Sequence, residues 1–350
     1  MIARSPFLML SLIFLGLAAA SVTSAQNSAV EPGPITAQIV ERGELICGIN
    51  GTLPGFGFRT DDGSYEGFDV EICRAVAAAI LGDADAVFYV EVTSAERSVT
   101  MITGSVDMLS RNTTWTFSRD VEWQATFGPT TFYDGQGVMV RTADGIASLE
   151  DLEGGTICSD GGTTTELNIS DAMAVREIDF VLQTFQSLDI TSEAFYSGNC
   201  DAMTSDRSAL IAQRALTDDP SAYRILGETL SKEPLGPVSP QGDPQFADII
   251  RWTVWGMINA EEEGITSENI DSFMDSTDVD VQRLLGLNNT PSGSHLGIAD
   301  DFMVQVIQQV GNYGEIYERH LGQNSPIGLD RNLNDLWING GLIYAPPFGG

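Results

Sequence analysis

Short apolar runs alternate with amphipathic stretches through the first two thirds of the chain, the pattern of strands and helices in α/β layers. Leu45–Ile49 reads as a first strand. From Asp69, taken as a helix cap, the apolar positions Val70, Cys73, Ala77 and Leu81 fall on one helical stripe, and Gly82 stops the helix. A strand over 87–92 and a helix over 94–103, ended by Gly104, repeat the unit, and a short strand at 106–109 follows. Residues 136–140 form a strand with Gly135 and Gly137 beside and within it, suited to cross between two lobes. A second series runs from Gly155 to about Leu226, with strands near 156–159, 180–185 and 201–204. The segment KEPLGPV, residues 232–238, has the proline and glycine of a connector. Two crossings make the first lobe discontinuous and the second an insertion. From Pro244 onward the pattern is helical, with helices expected over 245–262, 267–275, 279–285 and 300–321.

A chain of 350 residues with 43% hydrophobic content exceeds most single cores and suits two domains. At the N-terminus, Arg4 precedes an apolar stretch over 7–20 and small residues through Ala25, the layout of a secretory leader with cleavage expected near Ala25. That stretch is shorter than the roughly 20 residues a membrane span needs. No cysteine follows the cleavage region closely, so no lipid attachment is expected. Residues 26–35, with Pro32 and Pro34, read as a lead-in to the first domain.

The formal charge is −32, and losing Arg4 with the leader makes the chain one unit more negative. Nucleic acid and anionic membrane surfaces are poor partners for such a chain. Lys232 is the only lysine, and a surface so rich in carboxylates points to a saline setting where screening reduces self-repulsion. The acidic run 261–263 reads as a solvated helix face. His295 and His320 read as surface or helix-end residues, and no cysteine pair has CxxC spacing, so neither metal nor cofactor is expected.

Three segments carry candidate chemistry. The run RNTTWTFSRD, residues 111–120, places three hydroxyls and an amide at a turn and Arg119 a helical turn or two beyond. A guanidinium presents a planar fork that bonds both oxygens of a carboxylate, and a helix starting near Thr116 adds partial positive charge. The run GGTTTE, residues 161–166, offers hydroxyls and amides for the other side of an anion, and TSD, residues 204–206, offers one carboxylate. Anion donors in two places and an acid in a third match a zwitterion. Its α-carboxylate would go to Arg119, Thr114 and Thr164, and its ammonium to Asp206.

Seven blocks in order complete the picture: GFDVEICRAVAAA (67–79), VDMLSRNTTWTFSRD (106–120), YDGQGVMV (133–140), GTTTELN (162–168), SKEPLGPV (231–238), GNYGEIYERHLG (311–322) and GGLIYAPP (340–347). In these the chain resembles the periplasmic general L-amino-acid-binding proteins of ABC importers, within solute-binding protein family 3. The resemblance implies an α/β fold of the type 2 periplasmic binding proteins, with two lobes, a two-strand hinge and a helical C-terminal extension. It divides the chain into a signal peptide (1–25), a discontinuous first lobe (36–137 and 237–350) and a second lobe (138–236). Tyr313, Tyr317 and Trp337 are expected to pack within the extension.

The same resemblance implies capture of L-amino acids, acidic and amide ones included, by hinge closure in the periplasm. Delivery would be to inner-membrane permease subunits, with the binding protein soluble and monomeric. Carried over by position, the clamp falls on Arg119, Thr114, Thr164 and Asp206, with Asn112 in the same turn. Asn50, Leu53 and Phe56 match the loop around the ligand side chain, and Asn50 argues against strict basic specificity. Arg111 is placed to reach an acidic or amide side chain or to serve a structural ion pair. Ser239, Pro240 and Gln241 depart from the family, which has a basic residue before GD there. The four cysteines allow three pairings; the implied lobes favour Cys47 with Cys73 and Cys158 with Cys200. Two other readings share the scaffold: a periplasmic dehydratase of prephenate or arogenate, and a receptor-linked sensor without a transport role.

Overall fold

A computed structural model describes residue 1 and residues 30–288 and 290–349, so the leader and its cleavage near Ala25 lie outside the described residues. Two five-stranded sheets organise the molecule. In the first, the strands run in the order Val87–Glu91, Leu45–Ile49, Met108–Leu109, Val238–Pro240, Ala125–Phe127. Leu45–Ile49 pairs in parallel with both of its neighbours, and Val238–Pro240 is antiparallel to both of its own. The second sheet has the order Val181–Phe185, Thr156–Asp160, Ala202–Asp206, Gln136–Arg141, Tyr223–Ile225. Its first three strands are parallel, and Gln136–Arg141 runs against Ala202–Asp206 and Tyr223–Ile225. Parallel neighbours need a crossover, usually a helix, which is why strands and helices alternate in these stretches. The result is the mixed α/β, two-lobed binding-protein fold.

The connection between the sheets differs from the expected one. Gln136–Arg141 is buried along five of its six residues and lies inside the second sheet, so it does not cross. The crossing falls one step earlier, where Phe132–Asp134 pairs antiparallel with Glu233–Leu235 as a separate two-stranded ribbon. Glu233–Leu235 lies inside the KEPLGPV connector. Thr114 bridges to Leu235 and so ties the clamp turn to this ribbon.

Helix Phe68–Leu81 begins at Gly67, not at Asp69. Gly67 has φ +131°, and a Cβ there would sit 2.2 Å from the Phe56 carbonyl oxygen, so only glycine fits. Asp69, inside the first turn, accepts the Asn112 N–H at 2.6 Å instead of capping. The helix is buried almost all round, and Ala75, Ala77, Ala78 and Ala79 let neighbouring helices approach closely. Cys47 is joined to Cys73, fixing this helix to the first strand, and Cys158 to Cys200, in the turn ahead of Ala202–Asp206.

The C-terminal third packs on this same helix through Pro244–Glu262 and Phe302–Gln309. The helix expected over 300–321 is two helices, Phe302–Gln309 and Tyr313–His320. Gly311 at φ +102° breaks it, and Asn312 restarts it through a capping box with Glu315. Residues 267–275 hold only a short 3₁₀ turn, Ile270–Phe273. Tyr313 and Tyr317 are fully buried against Phe68, and the Tyr313 hydroxyl donates to the Thr131 carbonyl at 2.8 Å. Trp337 packs elsewhere within the extension, half exposed, edge-on to Tyr344, with its Nε1 donating to Glu262. Glu261 is likewise no solvated face residue, since Arg331 bonds both its oxygens at 2.9 and 3.2 Å. Sequence reading missed the strands Ala125–Phe127 and Tyr223–Ile225 and the small sheet of Thr52–Leu53, Gly57–Arg59 and Tyr65–Glu66.

Candidate functional site

The C-terminal ends of strands from both sheets meet at a cavity with about 30 Å³ of free volume. A water needs roughly 10–15 Å³ by that measure, so the two walls lie close together around a space for about two waters. One wall is built by the segments after Val87–Glu91 and Met108–Leu109. Thr116 caps helix Phe117–Glu122 by accepting the Arg119 N–H at 3.3 Å, which sets the Arg119 side chain one turn in. Its guanidinium is buried, donates to the Thr114 carbonyl at 3.0 Å and lies over the Trp123 ring at 5.2 Å. Arg111 donates from Nε to the Val92 carbonyl at 2.5 Å and from Nη2 to the Ser94 hydroxyl at 3.1 Å. Asn112, at φ +29°, turns the chain, and its side chain accepts from Asn50 Nδ2 at 3.2 Å. Arg97, at the start of helix Arg97–Thr103, donates to the Ser94 carbonyl at 3.1 Å.

The opposite wall comes from the second sheet. Asp160 ends one strand and Asp206 ends the next. Between them Thr163 caps helix Thr164–Val175 by accepting the Glu166 N–H, leaving the helix N-terminus beside the cavity. The Thr164 hydroxyl donates to Glu233 on the ribbon at 2.9 Å. Glu166 accepts the Gly162 N–H at 2.9 Å and holds the loop. Two bonds cross the cleft directly: the Ser94 hydroxyl donates to Asp160 Oδ2 at 2.6 Å, and Arg97 Nη2 donates to the Gly162 carbonyl at 3.4 Å.

The walls carry opposite charge, and burial strains both. Desolvation lowers the pKa of Arg97, Arg111 and Arg119, that of Arg119 to about 10. Burial raises Asp206 well above the usual carboxylate range, and the neighbouring carboxylates Asp134 and Glu233 raise it further. Asp134, buried by the ribbon, is raised to about 6, and Asp69 beneath Asn112 to about 7. An ammonium beside Asp206 and a carboxylate beside Arg119 would relieve both strains.

Of the residues expected at a site, the structure brings Arg119, Asp206, Thr114, Thr164, Asn112, Arg111 and Asn50 to this cavity. Leu53 and Phe56 do not line it. Thr52–Leu53 pairs with Gly57–Arg59, and that turn folds Leu53 into the core and sets Phe56 edge-on to Phe68 and Phe132. His295 is remote from it, and His320 sits at a helix end against Glu71 at 3.0 Å. Arg97, Ser94 and Asp160 were missed. An arginine opening a helix and a lone acid ending a strand have no pattern that separates them from surface residues. Among the described residues no group of His, Cys, Asp and Glu is arranged to hold a metal.

A two-lobed α/β protein with a charge-paired cavity at the strand ends belongs to the class of solute-binding proteins. Residues 45–323 match the bacterial extracellular solute-binding proteins, family 3, and the chain belongs to that family. It is 42% identical over 334 residues to the general L-amino acid-binding periplasmic protein AapJ of Rhizobium johnstonii, covering 95% of this chain and 97% of that one. It is 44% identical over 313 residues to the glutamate/glutamine/aspartate/asparagine-binding protein BztA of Rhodobacter capsulatus, covering 88% and 91%. Among solved structures, a periplasmic binding protein from Brucella ovis with glutathione bound superposes with a TM-score of 0.87 at 42% identity. That match covers 90% of this chain and 99% of the other.

Proposed function

We propose that this protein is the periplasmic substrate-binding component of an ABC amino-acid importer. It captures L-amino acids, acidic and amide ones among them, by closing two lobes and presents the closed form to the membrane permease. The observation that carries this reading is the pair Arg119 and Asp206 in one cavity, a guanidinium and a carboxylate on opposite walls. Arg119 with Thr114 takes the α-carboxylate. Asp206, helped by Asn112, takes the ammonium, while the helix N-terminus at Thr164 adds anion-favouring dipole. Arg111, Arg97 and Asn50 face the side chain. Lobe one comprises residues 36–135 and 237–350, and lobe two residues 136–236, since Gln136 and Gly137 belong to the second sheet, with the hinge at the ribbon of Phe132–Asp134 and Glu233–Leu235. Export through a leader ending near Ala25, a monomeric state and the absence of turnover complete the proposal.

Closure is needed for affinity. An amino acid of roughly ten heavy atoms held at about 1 μM, near −8 kcal/mol, gains about −0.8 kcal/mol per atom, which demands near-complete enclosure. Closure also makes the loaded shape distinct from the open one, which a permease can read.

Calorimetry on protein refolded from denaturant, against the twenty L-amino acids, glutathione, prephenate and arogenate, with products followed by mass spectrometry, tests this reading. Binding of several amino acids without turnover is expected. Silence toward every amino acid would overturn it, and conversion of prephenate or arogenate would replace it with a dehydratase.

A further inference from the structure

Asp160 is the one acid in the cavity that the zwitterion clamp does not use. It is buried, and only Oδ2 has a hydrogen-bond donor, the Ser94 hydroxyl. Oδ1 is fully buried and has no partner. A carboxylate oxygen is acceptor-only, and leaving it unpaired out of water is costly. Arg97 and Arg111 act on Asp160 through space but spend their observed bonds elsewhere, on the Ser94 and Gly162 carbonyls, and on the Val92 carbonyl and the Ser94 hydroxyl. With Arg119 and Asp206 assigned to the ligand's head, the rest of the charged lining is two guanidiniums, which only donate, and the Asp160 carboxylate with one unpartnered oxygen.

We propose that Asp160 makes this end of the site a carboxamide reader, so that the protein prefers the amides glutamine and asparagine to the acids glutamate and aspartate. A carboxamide offers both halves of the match: its carbonyl accepts from the Arg97 and Arg111 side, and its NH₂ donates to Asp160 Oδ1. A ligand carboxylate satisfies the guanidiniums, but it leaves Oδ1 without a donor and sets two like charges together in a space with little room for water. The discrimination therefore acts partly against the wrong ligand. Ser94 is the positioning residue: its hydroxyl accepts from Arg111 and donates to Asp160, holding the two readers in one frame. This inference rests on the amino-acid-binding reading above and narrows it to a side-chain class.

The test is calorimetry at pH 7.5 with glutamine, glutamate and alanine on the stripped wild-type protein and on Asp160→Asn. Wild type is expected to bind glutamine at least tenfold more tightly than glutamate. Asn at 160 has both a donor and an acceptor, so the ratio of glutamine to glutamate affinity should fall at least tenfold, whatever change the altered Ser94 contact makes to all three ligands in common. A wild-type preference for glutamate, or a ratio that moves less than threefold, overturns the role of Asp160. Should Asp160→Asn fail to fold by its melting curve, the wild-type preference decides alone, in the same two directions. Failure of wild type to bind any of the three, alanine included, would overturn the amino-acid reading as well; a reversed ratio with alanine bound would overturn only Asp160.

Discussion

The two walls of the cleft solve opposite problems. The first lobe contributes three arginines, Arg97, Arg111 and Arg119, and no acid to the cavity lining; Asp69 lies behind it, beneath the Asn112 turn. The second lobe contributes Asp160 and Asp206 with a helix N-terminus between them. Separated by an open cleft, each wall is solvated and its like charges are screened. Where they face each other both walls are buried, and burial is the first cause of the pKa shifts on both sides. Two cross-cleft bonds, Ser94 to Asp160 and Arg97 to Gly162, offset only part of it. In the proposed reading a zwitterion supplies counter-charges to both walls at once, which would couple ligand and closure through desolvation.

The largest effect is expected from emptying the cationic wall at its head group. Arg119→Ala should weaken every amino acid alike, by about 2–5 kcal/mol as for other truncated buried charge pairs. Retained micromolar binding in calorimetry would remove Arg119 from the clamp. On the acidic wall, Asp206→Asn should reduce affinity for amino acids roughly a hundredfold while hardly affecting their des-amino analogues, since a lost pair to a charged group costs about 1.5–3 kcal/mol. Equal loss for both kinds of ligand would take the ammonium from Asp206. Arg111→Ala should hurt ligands with acidic or amide side chains more than alanine. A uniform loss would mean that Arg111 serves only the Val92 and Ser94 bonds seen in the structure.

Acidity sharpens the same contrast. Burial raises the pKa of Asp206, and that of Asp134 to about 6, so the empty folded protein holds protons that the unfolded chain has already released. Fewer protons on the unfolded state mean that these groups lower stability as pH rises through that range. A ligand ammonium favours the ionised acids, so binding expels protons and weakens as pH falls. Affinity should drop several-fold from pH 7.5 to 5, with proton release visible as buffer-dependent heats. Affinity independent of pH across this window would mean that the acids are already ionised. The smallest effect belongs to the cap: Thr163→Ala should cost about 1 kcal/mol in a denaturant melt.

That the residues of the proposed clamp would share one cavity was legible where chemistry and local structure coincide. Thr116 and Thr163 each announce a helix start, and Arg119 and Thr164 stand at fixed offsets from them. Asp206 was reached through the TSD run and the family resemblance, since an acid ending a strand carries no distinguishing pattern by itself, as Asp160 shows. The crossing between the sheets was expected one strand too late because its ribbon is only three residues a side, whereas the neighbouring run 136–140 looks more like a strand. Asp69 looked like a cap because aspartate favours that position, yet Gly67 starts the helix and the carboxylate serves a turn 43 residues away. The break at Gly311 disappears into a continuous apolar stripe. Arg97, Ser94 and Asp160 acquire meaning only when the lobes close, and sequence periodicity carries no signal of contacts made across a cleft.

The most direct measurement compares glutamine with its decarboxylated and its deaminated analogues on the stripped protein by calorimetry. If each wall grips one end of a zwitterion, both analogues should bind at least a hundredfold more weakly than glutamine. Binding of either analogue as tightly as glutamine would show that one wall takes no part, and the paired-wall account would be wrong.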